Sequence, residues 1–308
     1  MAKLIILCGL PGAGKSSYAE QLLSEWTIFE DVDAVIHSSD AIRKELFGDA
    51  GSQEDNSRVF ELMRKRVRED LRAGKNVIYD ATNVTRKARK SAIACAHPTN
   101  DTIECHVVWA EPEECVRRDS LRERKVGPEV IDKMIRRWQS PWKDEGFDAV
   151  RVFLNQDDFN QVKYVAAKTS DMHIPHDNPH HQLGIWEHCM QTYANIVVDH
   201  KNNKYIDFNS LAAAALWHDI GKPYTKFFKP GETVAHYYDH HCVGGYLVYG
   251  LFLNPKLMGI LDKDKLCFIS WIVANHMEGF FDSKYYKELL PQWKWYLEAL
   301  HTADLAAH

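Results

Sequence analysis

The stretch KLIILCGLPGAGKSS at residues 3–17 decides the fold of the N-terminal half. Its first six residues are a short apolar run of the kind that forms a buried parallel strand. Gly9, Gly14, Lys15 and Ser16 then fit the spacing G-x-x-x-x-G-K-[ST], and a helical pattern follows. A strand, a glycine-rich loop and a helix in this order predict a P-loop, in which backbone amides surround a phosphate.

The loop also predicts a nucleotide and a metal ion. Its glycines let backbone N–H groups close around a phosphate, Lys15 would reach the β- and γ-phosphate oxygens, and Ser16 would hold Mg²⁺. We therefore predict that the chain binds ATP or another nucleoside triphosphate together with Mg²⁺. The predicted nucleotide-binding residues of the loop are Gly9, Pro11, Gly12, Ala13, Gly14, Lys15, Ser16 and Ser17.

Three more strand-like runs follow at 34–39, 76–82 and 103–110, and helical segments such as 58–74 lie between them. Alternating strands and helices predict an α/β domain with a parallel sheet, which binds its ligand at the carboxyl ends of the strands. The polar residues at two of those ends are Asp40, Arg43, Asp80, Thr82 and Asn83.

The order G-x-P-G-x-G-K-S, S-D-x-x-R and D-[AT]-T-N-x-x-x-x-x-R resembles that of the polynucleotide 5′-kinases among P-loop phosphotransferases. The resemblance implies that Asp40 is the general base for a 5′-hydroxyl group and that Arg43 contacts the phosphate next to the accepting nucleoside. It further implies a basic lid helix over 115–134, from which Arg118 and Arg122 reach the donor phosphates. The residues that it implies for the acceptor side are Asp80, Thr82 and Asn83.

Other interpretations of these residues stay open. Asp40 precedes a helical pattern at 41–47 and is also suited to cap that helix. Arg118 and Arg122 would lie equally well on a solvated helix face. Small-molecule kinases share the P-loop and aspartate arrangement, so the acceptor is not fixed as a polynucleotide.

Composition changes near the middle of the chain. All fifteen arginines lie at or before Arg151, whereas thirteen of the sixteen histidines lie after it. Arginine suits bidentate contacts to phosphate, and histidine is the most common side chain for transition metals. We predict a boundary near the polar stretch 155–161, with a P-loop kinase-like domain at 1–155 and a second domain at 165–308.

The second half is predicted to be all-α, and it contains an adjacent polar pair, His218 and Asp219, after an alanine-rich helical stretch. Burying such a pair is costly unless a partner satisfies it. The order of its motifs, H, HD, H, H and D, resembles the HD superfamily of metal-dependent phosphohydrolases. The metal ligands that this resemblance implies are His188, His218, Asp219 and Asp304 for one ion, and His240 and His276 for a second.

The resemblance also implies that Asp219 is catalytic and that His181 and Lys222 face the substrate phosphate. His241 is an open alternative to His240 as a ligand. Imidazole and carboxylate ligands suit Mn²⁺, Ni²⁺, Co²⁺, Fe²⁺ or Zn²⁺ and do not select among them. The histidines that we interpret as structural are His173, His176, His236, His301 and His308.

Together the two resemblances imply an enzyme that heals broken nucleic-acid ends, acting on the 5′-OH and 3′ ends of RNA or DNA and supplying a separate ligase. An alternative is a nucleoside or small-molecule kinase fused to a nucleotide phosphohydrolase, and a third is a regulatory protein switched by ATP.

The net charge of −5 argues against a protein that binds nucleic acid through bulk positive charge. Seven scattered cysteines indicate reduced thiols in the cytoplasm, and no apolar run is long enough to span a membrane.

Overall fold

The computed structural model describes residues 2–29, 32–52, 54–96, 101–179, 182–253, 263–281 and 283–307. The chain divides into two compact units, the first of Met1–Met134 and Pro141–Asp157, the second of Ile135–Ser140 and Asp158–His308. The limits 1–155 and 165–308 stay a prediction about the folding domains. The assignment of Ile135–Ser140 to the second unit is a feature that composition did not indicate.

The first unit is built on a parallel sheet of five strands in the order β2-β3-β1-β4-β5. The strands are β1 (Lys3–Cys8), β2 (Ala34–Ser38), β3 (Asn76–Asp80), β4 (Thr102–Trp109) and β5 (Ala149–Leu154). The sheet confirms the predicted α/β fold. β5 was not predicted, because its sequence, AVRVFL, is short and carries an exposed arginine.

Helices connect these strands. They are α1 (Lys15–Ser24), α2 (Ser39–Phe47), α3 (Asn56–Arg72), α4 (Arg86–Ile93), α5 (Pro112–Ser120) and α6 (Pro128–Ile135). α3 shows why the sequence folds this way, because an apolar side chain recurs every fourth residue and that stripe is buried against the sheet. The stripe consists of Val59, Met63, Val67 and Leu71.

The single lid helix expected over 115–134 is wrong, since the segment forms two helices with a non-helical connection at 121–127. Gly127 adopts a left-handed φ of 87°, and Pro128 cannot donate a backbone hydrogen bond. The buried Asp119 carboxylate accepts hydrogen bonds from the N–H groups of Val126 and Gly127, both at 2.9 Å. The connection is therefore held in place by these hydrogen bonds to Asp119 of the preceding helix, α5.

The second unit is mainly helical. Its helices are α7 (Gln161–Met172), α8 (Ile185–His200), α9 (Phe208–Trp217), α10 (Lys222–Thr225), α11 (His240–Phe252), α12 (Lys263–Asn275), α13 (Glu278–Phe281), α14 (Lys284–Glu288) and α15 (Pro291–Leu305). α11 and α12 pack closely at Gly245, where a Cβ atom would overlap that of Ala274. Small residues at such contacts let helix backbones approach one another.

The prediction of an all-α second half needs one correction. β6 (Phe227–Phe228) and β7 (Ala235–His236) form a two-stranded antiparallel ribbon. The turn between them contains Pro230 and Gly231, and Gly231 has a left-handed φ of 80°. Proline and glycine favour such turns over helix continuation.

In the part of the chain that the structure describes, every helix is too short or too polar to cross a membrane.

Candidate functional site

The P-loop connects β1 to α1. Gly12 and Gly14 have left-handed φ values of 79° and 89°. A Cβ atom on Gly12 would overlap the carbonyl oxygen of Cys115, so only glycine fits at that position. The loop ends at the N-terminus of α1, where free backbone N–H groups and the helix dipole favour a bound anion. The loop is therefore shaped for phosphate.

Lys15, Ser16 and Asp80 lie together beside the loop. The Lys15 Nζ atom donates to the carbonyl oxygen of Leu10 at 2.8 Å, and the Ser16 hydroxyl donates to Asp80 Oδ2 at 2.9 Å. Burial lowers the pKa of Lys15, and the nearby Asp80 carboxylate opposes that shift. Burial likewise raises the pKa of Asp80, against the opposing effect of Lys15. A cation that joined this group would restore favourable charge balance.

Asp40 lies in the first turn of α2, where Ser38 occupies the N-cap position, so Asp40 is not the helix cap. Its Oδ1 atom contacts Arg43 Nη1 at 2.8 Å and Arg124 Nη1 at 2.6 Å. Its Oδ2 atom has a longer contact, 3.8 Å, to Arg122 Nη2. The candidate base is therefore bordered by three arginines, one of which, Arg124, was not identified from the sequence.

A cavity of about 970 Å³ joins these groups at the carboxyl ends of the strands. It brings together most of the residues predicted for the kinase site: Pro11, Gly12, Gly14, Lys15, Ser16, Ser17, Asp40, Arg43, Asp80, Thr82, Arg118 and Arg122. Gly9, Ala13 and Asn83 do not line it. The Gly9 N–H group donates to the carbonyl oxygen of Thr82 at 3.0 Å, and Ala13 is fully buried, so both support the loop from behind.

The expectation that the Asn83 side chain shapes the acceptor side requires correction. Asn83 has a left-handed φ of 48°, which asparagine tolerates better than most residues. Its side-chain amide donates to the carbonyl oxygen of Leu7 at 2.7 Å, and its own carbonyl accepts from Arg89 Nη1 at 3.0 Å. Asn83 therefore stabilises the turn after β3 instead of facing the cavity.

Asn155 is a further residue that sequence reasoning missed. It follows β5, and its side-chain amide donates to the carbonyl oxygen of Gly14 at 3.0 Å. Its own carbonyl accepts from Arg118 Nη1 at 2.7 Å. Asn155 thus links the P-loop to the arginine of α5. The sequence could have indicated Asn155 only if β5 had been predicted, because polar residues were sought at the ends of predicted strands.

The second unit contains a buried cluster of histidines and aspartates. Five parts of the chain contribute to it: the turn after α9 supplies two side chains, and α8, the start of α11, the turn after α12 and α15 supply one each. The six residues predicted as ligands, all buried, are His188, His218, Asp219, His240, His276 and Asp304.

Asp219 lies at the centre of the cluster. Its Oδ2 atom is 3.4 Å from His218 Nε2 and 3.8 Å from His188 Nε2. Its Oδ1 atom is 3.3 Å from His240 Nε2 and 4.0 Å from His276 Nε2. One carboxylate therefore faces two separate pairs of histidines, one with each oxygen.

Asp304 completes the first of these groups. Its Oδ1 atom lies 2.8 Å from His188 Nε2 and 3.6 Å from His218 Nε2. The ligand atoms of His188, His218 and Asp304 all lie within 4.8 Å of one another, as do those of Asp219, His240 and His276. These are two sets of nitrogen and oxygen atoms spaced for divalent ions.

The tautomers of the four histidines fit metal binding. Each Nδ1 atom lies near a backbone carbonyl oxygen: that of Ala307 for His188 (3.4 Å), Ala215 for His218 (2.8 Å), Tyr237 for His240 (2.9 Å) and Val273 for His276 (2.8 Å). A carbonyl oxygen only accepts, so the Nδ1 atoms carry the protons and the Nε2 lone pairs point into the cluster. Lone pairs and carboxylate oxygens facing each other require a cation or extra protons between them.

Charge within the cluster follows from burial and proximity. Burial opposes ionisation of Asp219, but Lys222 and His218 outweigh it and hold the pKa of that carboxyl well below its usual range. Burial also opposes protonation of His218, yet Asp219 raises the pKa of His218 well above its ordinary value. Burial, reinforced by His240, lowers the pKa of His276. The cluster thus concentrates negative charge on Asp219.

The remaining predicted residues have different outcomes. Lys222 lies inside the cluster, with Nζ at 2.6 Å from Asp219 Oδ2. The His241 ring contacts those of His240 and His276, and among the described residues His241 belongs to neither ligand set. His181 lies outside the described residues.

His176, interpreted above as structural, instead borders the cluster. It is buried, and its Nε2 atom lies 3.1 Å from Lys222 Nζ, while its Nδ1 atom lies 2.8 Å from the carbonyl oxygen of Leu183. Since that oxygen accepts, His176 Nε2 is the acceptor for the lysine ammonium. No local motif marks this lone histidine, so the sequence carried no signal for it.

One comparison, with protein families, bears on the first of these sites. The family model described as AAA domain matches residues 4–141. Among solved structures, two Pnkp1/Rnl/Hen1 RNA repair complexes are similar to this chain. In the first the identity is 26% and the TM-score 0.38, covering 43% of this chain and 42% of that one. In the second the identity is 28% and the TM-score 0.33, covering 38% and 39% respectively.

A gluconokinase from Sinorhizobium meliloti 1021 is also similar, at 14% identity and a TM-score of 0.33, covering 49% of this chain and 82% of that one. The chain spans about two fifths of the length of the RNA repair chains that it matches. The family match and the loop geometry together support a P-loop nucleotide-binding domain in the N-terminal part of this protein.

Proposed function

We propose that this chain is a bifunctional nucleic-acid end-healing enzyme. It would join an NTP-dependent 5′-hydroxyl polynucleotide kinase to an HD-type phosphohydrolase that acts on a 2′,3′-cyclic phosphate or a 3′-phosphate. The observation that carries the proposal is the occurrence, in one chain, of a P-loop cavity containing Asp40 and a buried histidine and aspartate cluster with metal-ligand tautomers. A break that leaves a 5′-OH and a cyclic phosphate needs both activities.

In the kinase domain, the P-loop amides and Lys15 would hold the donor phosphates, and Arg118 and Arg122 would neutralise charge that develops during transfer. Ser16 and Asp80, whose oxygens lie 2.9 Å apart, would hold Mg²⁺, which supplies further charge neutralisation when bound. These roles use side chains that line one cavity.

The acceptor hydroxyl would be activated by Asp40. We assign proton acceptance to Oδ2, because Oδ1 already receives hydrogen bonds from Arg43 and Arg124, whereas the Oδ2 contact is 3.8 Å. Arg43 is held in place by Asn56, whose Oδ1 atom accepts from Arg43 Nη2 at 3.0 Å. A fixed guanidinium of this kind suits a phosphate next to the acceptor nucleoside.

In the second unit, one divalent transition ion would be held by His188, His218, Asp219 and Asp304, and a second by His240 and His276 with the other oxygen of Asp219. Bound ions supply an activated water and stabilise the leaving oxygen. Lys222 holds Asp219 at 2.6 Å and places a positive charge where a phosphate oxygen would bind. The His176 ring in turn orients that ammonium.

The substrates that follow from this assignment are the 5′-OH and 3′ ends of RNA, or of DNA, in the cytoplasm, and the products are ends that a separate ligase joins. The competing proposal, a small-molecule kinase fused to a nucleotide phosphohydrolase, differs in the size of the acceptor. Remote contacts along a polynucleotide lower the transition-state barrier, so they raise kcat/KM for oligomers.

The test compares kcat/KM for phosphorylation of a 5′-OH oligonucleotide and of the matching nucleoside, with ATP and Mg²⁺. We expect the oligonucleotide to be preferred by at least about 100-fold, a difference of roughly 2.7 kcal/mol. Equal values, or a preference for the nucleoside, would contradict the polynucleotide assignment. Thr82→Ala, at the acceptor side of the cavity, gives a variant whose effect should fall on the acceptor and not on the KM for ATP.

A further inference from the structure

Two aromatic rings of the β6–β7 ribbon and one that follows it in the chain lie close to one another. The ring centroids of Phe227 and His236 lie 5.4 Å apart, and those of Phe227 and Tyr238 also lie 5.4 Å apart. The rings of His236 and Tyr238 are stacked, with a centroid separation of 5.6 Å and an interplanar angle of 25°. Phe227 pairs with His236 in the ribbon register, so both project from one face. We call these three rings the ribbon aromatic cluster.

The ribbon aromatic cluster is open to solvent. Phe227 is 38% exposed and Tyr238 56% exposed. Phe228 is 47% exposed, and Lys226 Nζ lies 5.9 Å from its ring centroid. Contiguous exposed aromatic surface of this kind is typical of a site that binds another molecule.

The local charges of the ribbon are nearly balanced. Lys226 pairs with Asp177 at 2.7 Å, and His236 pairs with Glu232 at 2.7 Å. Lys229 adds an exposed positive charge in the turn. The cluster would therefore bind a ligand mainly by stacking on its flat rings and only weakly through charge. In this it differs from a basic groove that binds phosphates.

The ribbon aromatic cluster adjoins the buried histidine and aspartate cluster through one intervening residue, Tyr237. The Tyr237 hydroxyl donates to the carbonyl oxygen of His176, and its ring lies 5.5 Å from Lys222 Nζ. Lys222 in turn contacts Asp219. Both tyrosines follow β7, and they face different surroundings: Tyr237 contacts His176 and Lys222, whereas Tyr238 is exposed. The two sites therefore adjoin one another in the second unit.

We propose that the ribbon aromatic cluster stacks the unpaired bases of a single-stranded nucleic acid whose 3′ end enters the histidine and aspartate cluster. Unpaired bases present flat π faces to aromatic side chains, and stacking tolerates any sequence. The placement of the 3′ end rests on the proposed phosphohydrolase, whereas the stacking itself does not. The ribbon would thereby give the second site its preference for polynucleotides over mononucleotides.

The test is the affinity of the full-length protein for a fluorescein-labelled single-stranded RNA, measured by fluorescence anisotropy. The RNA carries phosphates at both ends, so it is not an acceptor for the kinase domain. We expect Tyr238→Ala to weaken binding about 10-fold, in line with the loss of one stacked base, and Tyr238→Phe to retain it within about twofold. Phe227→Leu, which keeps an apolar side chain without a ring, should also lose affinity.

Tyr205→Ala is the matched control, because Tyr205 is 88% exposed and lies between α8 and α9, outside the ribbon. It should bind RNA like the unaltered protein. The loss caused by Tyr238→Ala should be the same at low and high salt, because stacking does not release counterions, whereas any loss caused by Lys229→Ala should shrink as salt rises. Circular dichroism checks that each variant is folded.

Equal affinity of Tyr238→Ala and the unaltered protein would overturn the proposal, and so would equal losses for Tyr238→Ala and Tyr205→Ala. Binding of no RNA, with self-association that Tyr238→Ala abolishes, would also overturn it and assign the ribbon to a second copy of the chain. RNA binding that depends on Tyr238, in a protein that hydrolyses no 3′ or cyclic phosphate, would instead leave the stacking surface standing and refute the proposed phosphohydrolase.

Discussion

The buried ion pair between Arg89 and Glu145 gives the sharpest stability prediction. Both side chains are fully buried, and Arg89 donates to Glu145 through Nε at 2.9 Å and Nη2 at 2.5 Å. Arg89 Nη1 also donates to the carbonyl oxygen of Asn83, which holds the turn after β3. In Arg89→Ala, the close cation that Glu145 keeps among the described residues is Arg86, with Nε at 3.9 Å.

Removing one partner of a buried pair costs about 3–5 kcal/mol, because the other charge is left without compensation. The lost hydrogen bond to Asn83 adds about 1 kcal/mol. For a domain of this size, a loss of about 4–6 kcal/mol lowers Tm by about 8–24 °C. Arg89→Ala should therefore lower the Tm of the P-loop domain by at least about 8 °C. Replacing both charges, as in Arg89→Met with Glu145→Leu, should recover most of the loss.

The assay is calorimetric unfolding of the full-length protein, in which the transition that ADP shifts upward belongs to the P-loop domain. Arg66 and Glu45 provide a matched control, since they also form a bidentate pair, through Nη1 at 2.7 Å and Nη2 at 2.6 Å, but at the surface. Arg66→Ala should change the Tm by no more than the error of the measurement. If Arg89→Ala and Arg66→Ala lowered Tm equally, the reasoning from burial would be refuted.

Three further predictions concern single side chains. His240→Ala should lower the divalent metal content of the purified protein, measured by mass spectrometry, whereas the neighbouring His241→Ala should leave it unchanged; equal losses would contradict the assignment of His240. Asp40→Asn should reduce kcat for 5′ phosphorylation at least about 100-fold with little change in KM for ATP, and near-normal activity would remove Asp40 as the base. A hydrogen bond with His106 helps to hold the pKa of Glu104 at about 2. The Tm difference between the unaltered protein and Glu104→Gln should therefore be full above about pH 5 and vanish as the pH falls toward 2. A Tm difference that does not change with pH would contradict this.

The sequence predicted those parts of the two sites that depend on local spacing. The P-loop is one continuous motif, and the carboxyl ends of neighbouring parallel strands had to bring Asp40 and Asp80 to one edge. The pair His218 and Asp219 is adjacent in the chain, so any bundle that buries it brings both to one place. These inferences needed no knowledge of tertiary packing.

Other features depended on contacts that local patterns do not encode. His176 contacts Lys222, which is distant in the chain, and it lies beside an isolated bridge between Pro175 and Gly184. Asn155 was not predicted because β5, the strand that it follows, was not predicted. The direction of the Asn83 side chain depends on a left-handed backbone, which spacing does not reveal.

The central claim is that one chain heals both ends of a nucleic-acid break. The most direct measurement incubates the protein with an RNA that carries a 5′-OH and a 2′,3′-cyclic phosphate, together with ATP, Mg²⁺ and Mn²⁺, and analyses each end separately. We predict a 5′-phosphate and a 3′ end without the cyclic phosphate. Lys15→Ala should block only the 5′ change and Asp219→Ala only the 3′ change. If the unaltered protein, folded and loaded with metal, left one or both ends of the RNA unchanged, the result would contradict the account.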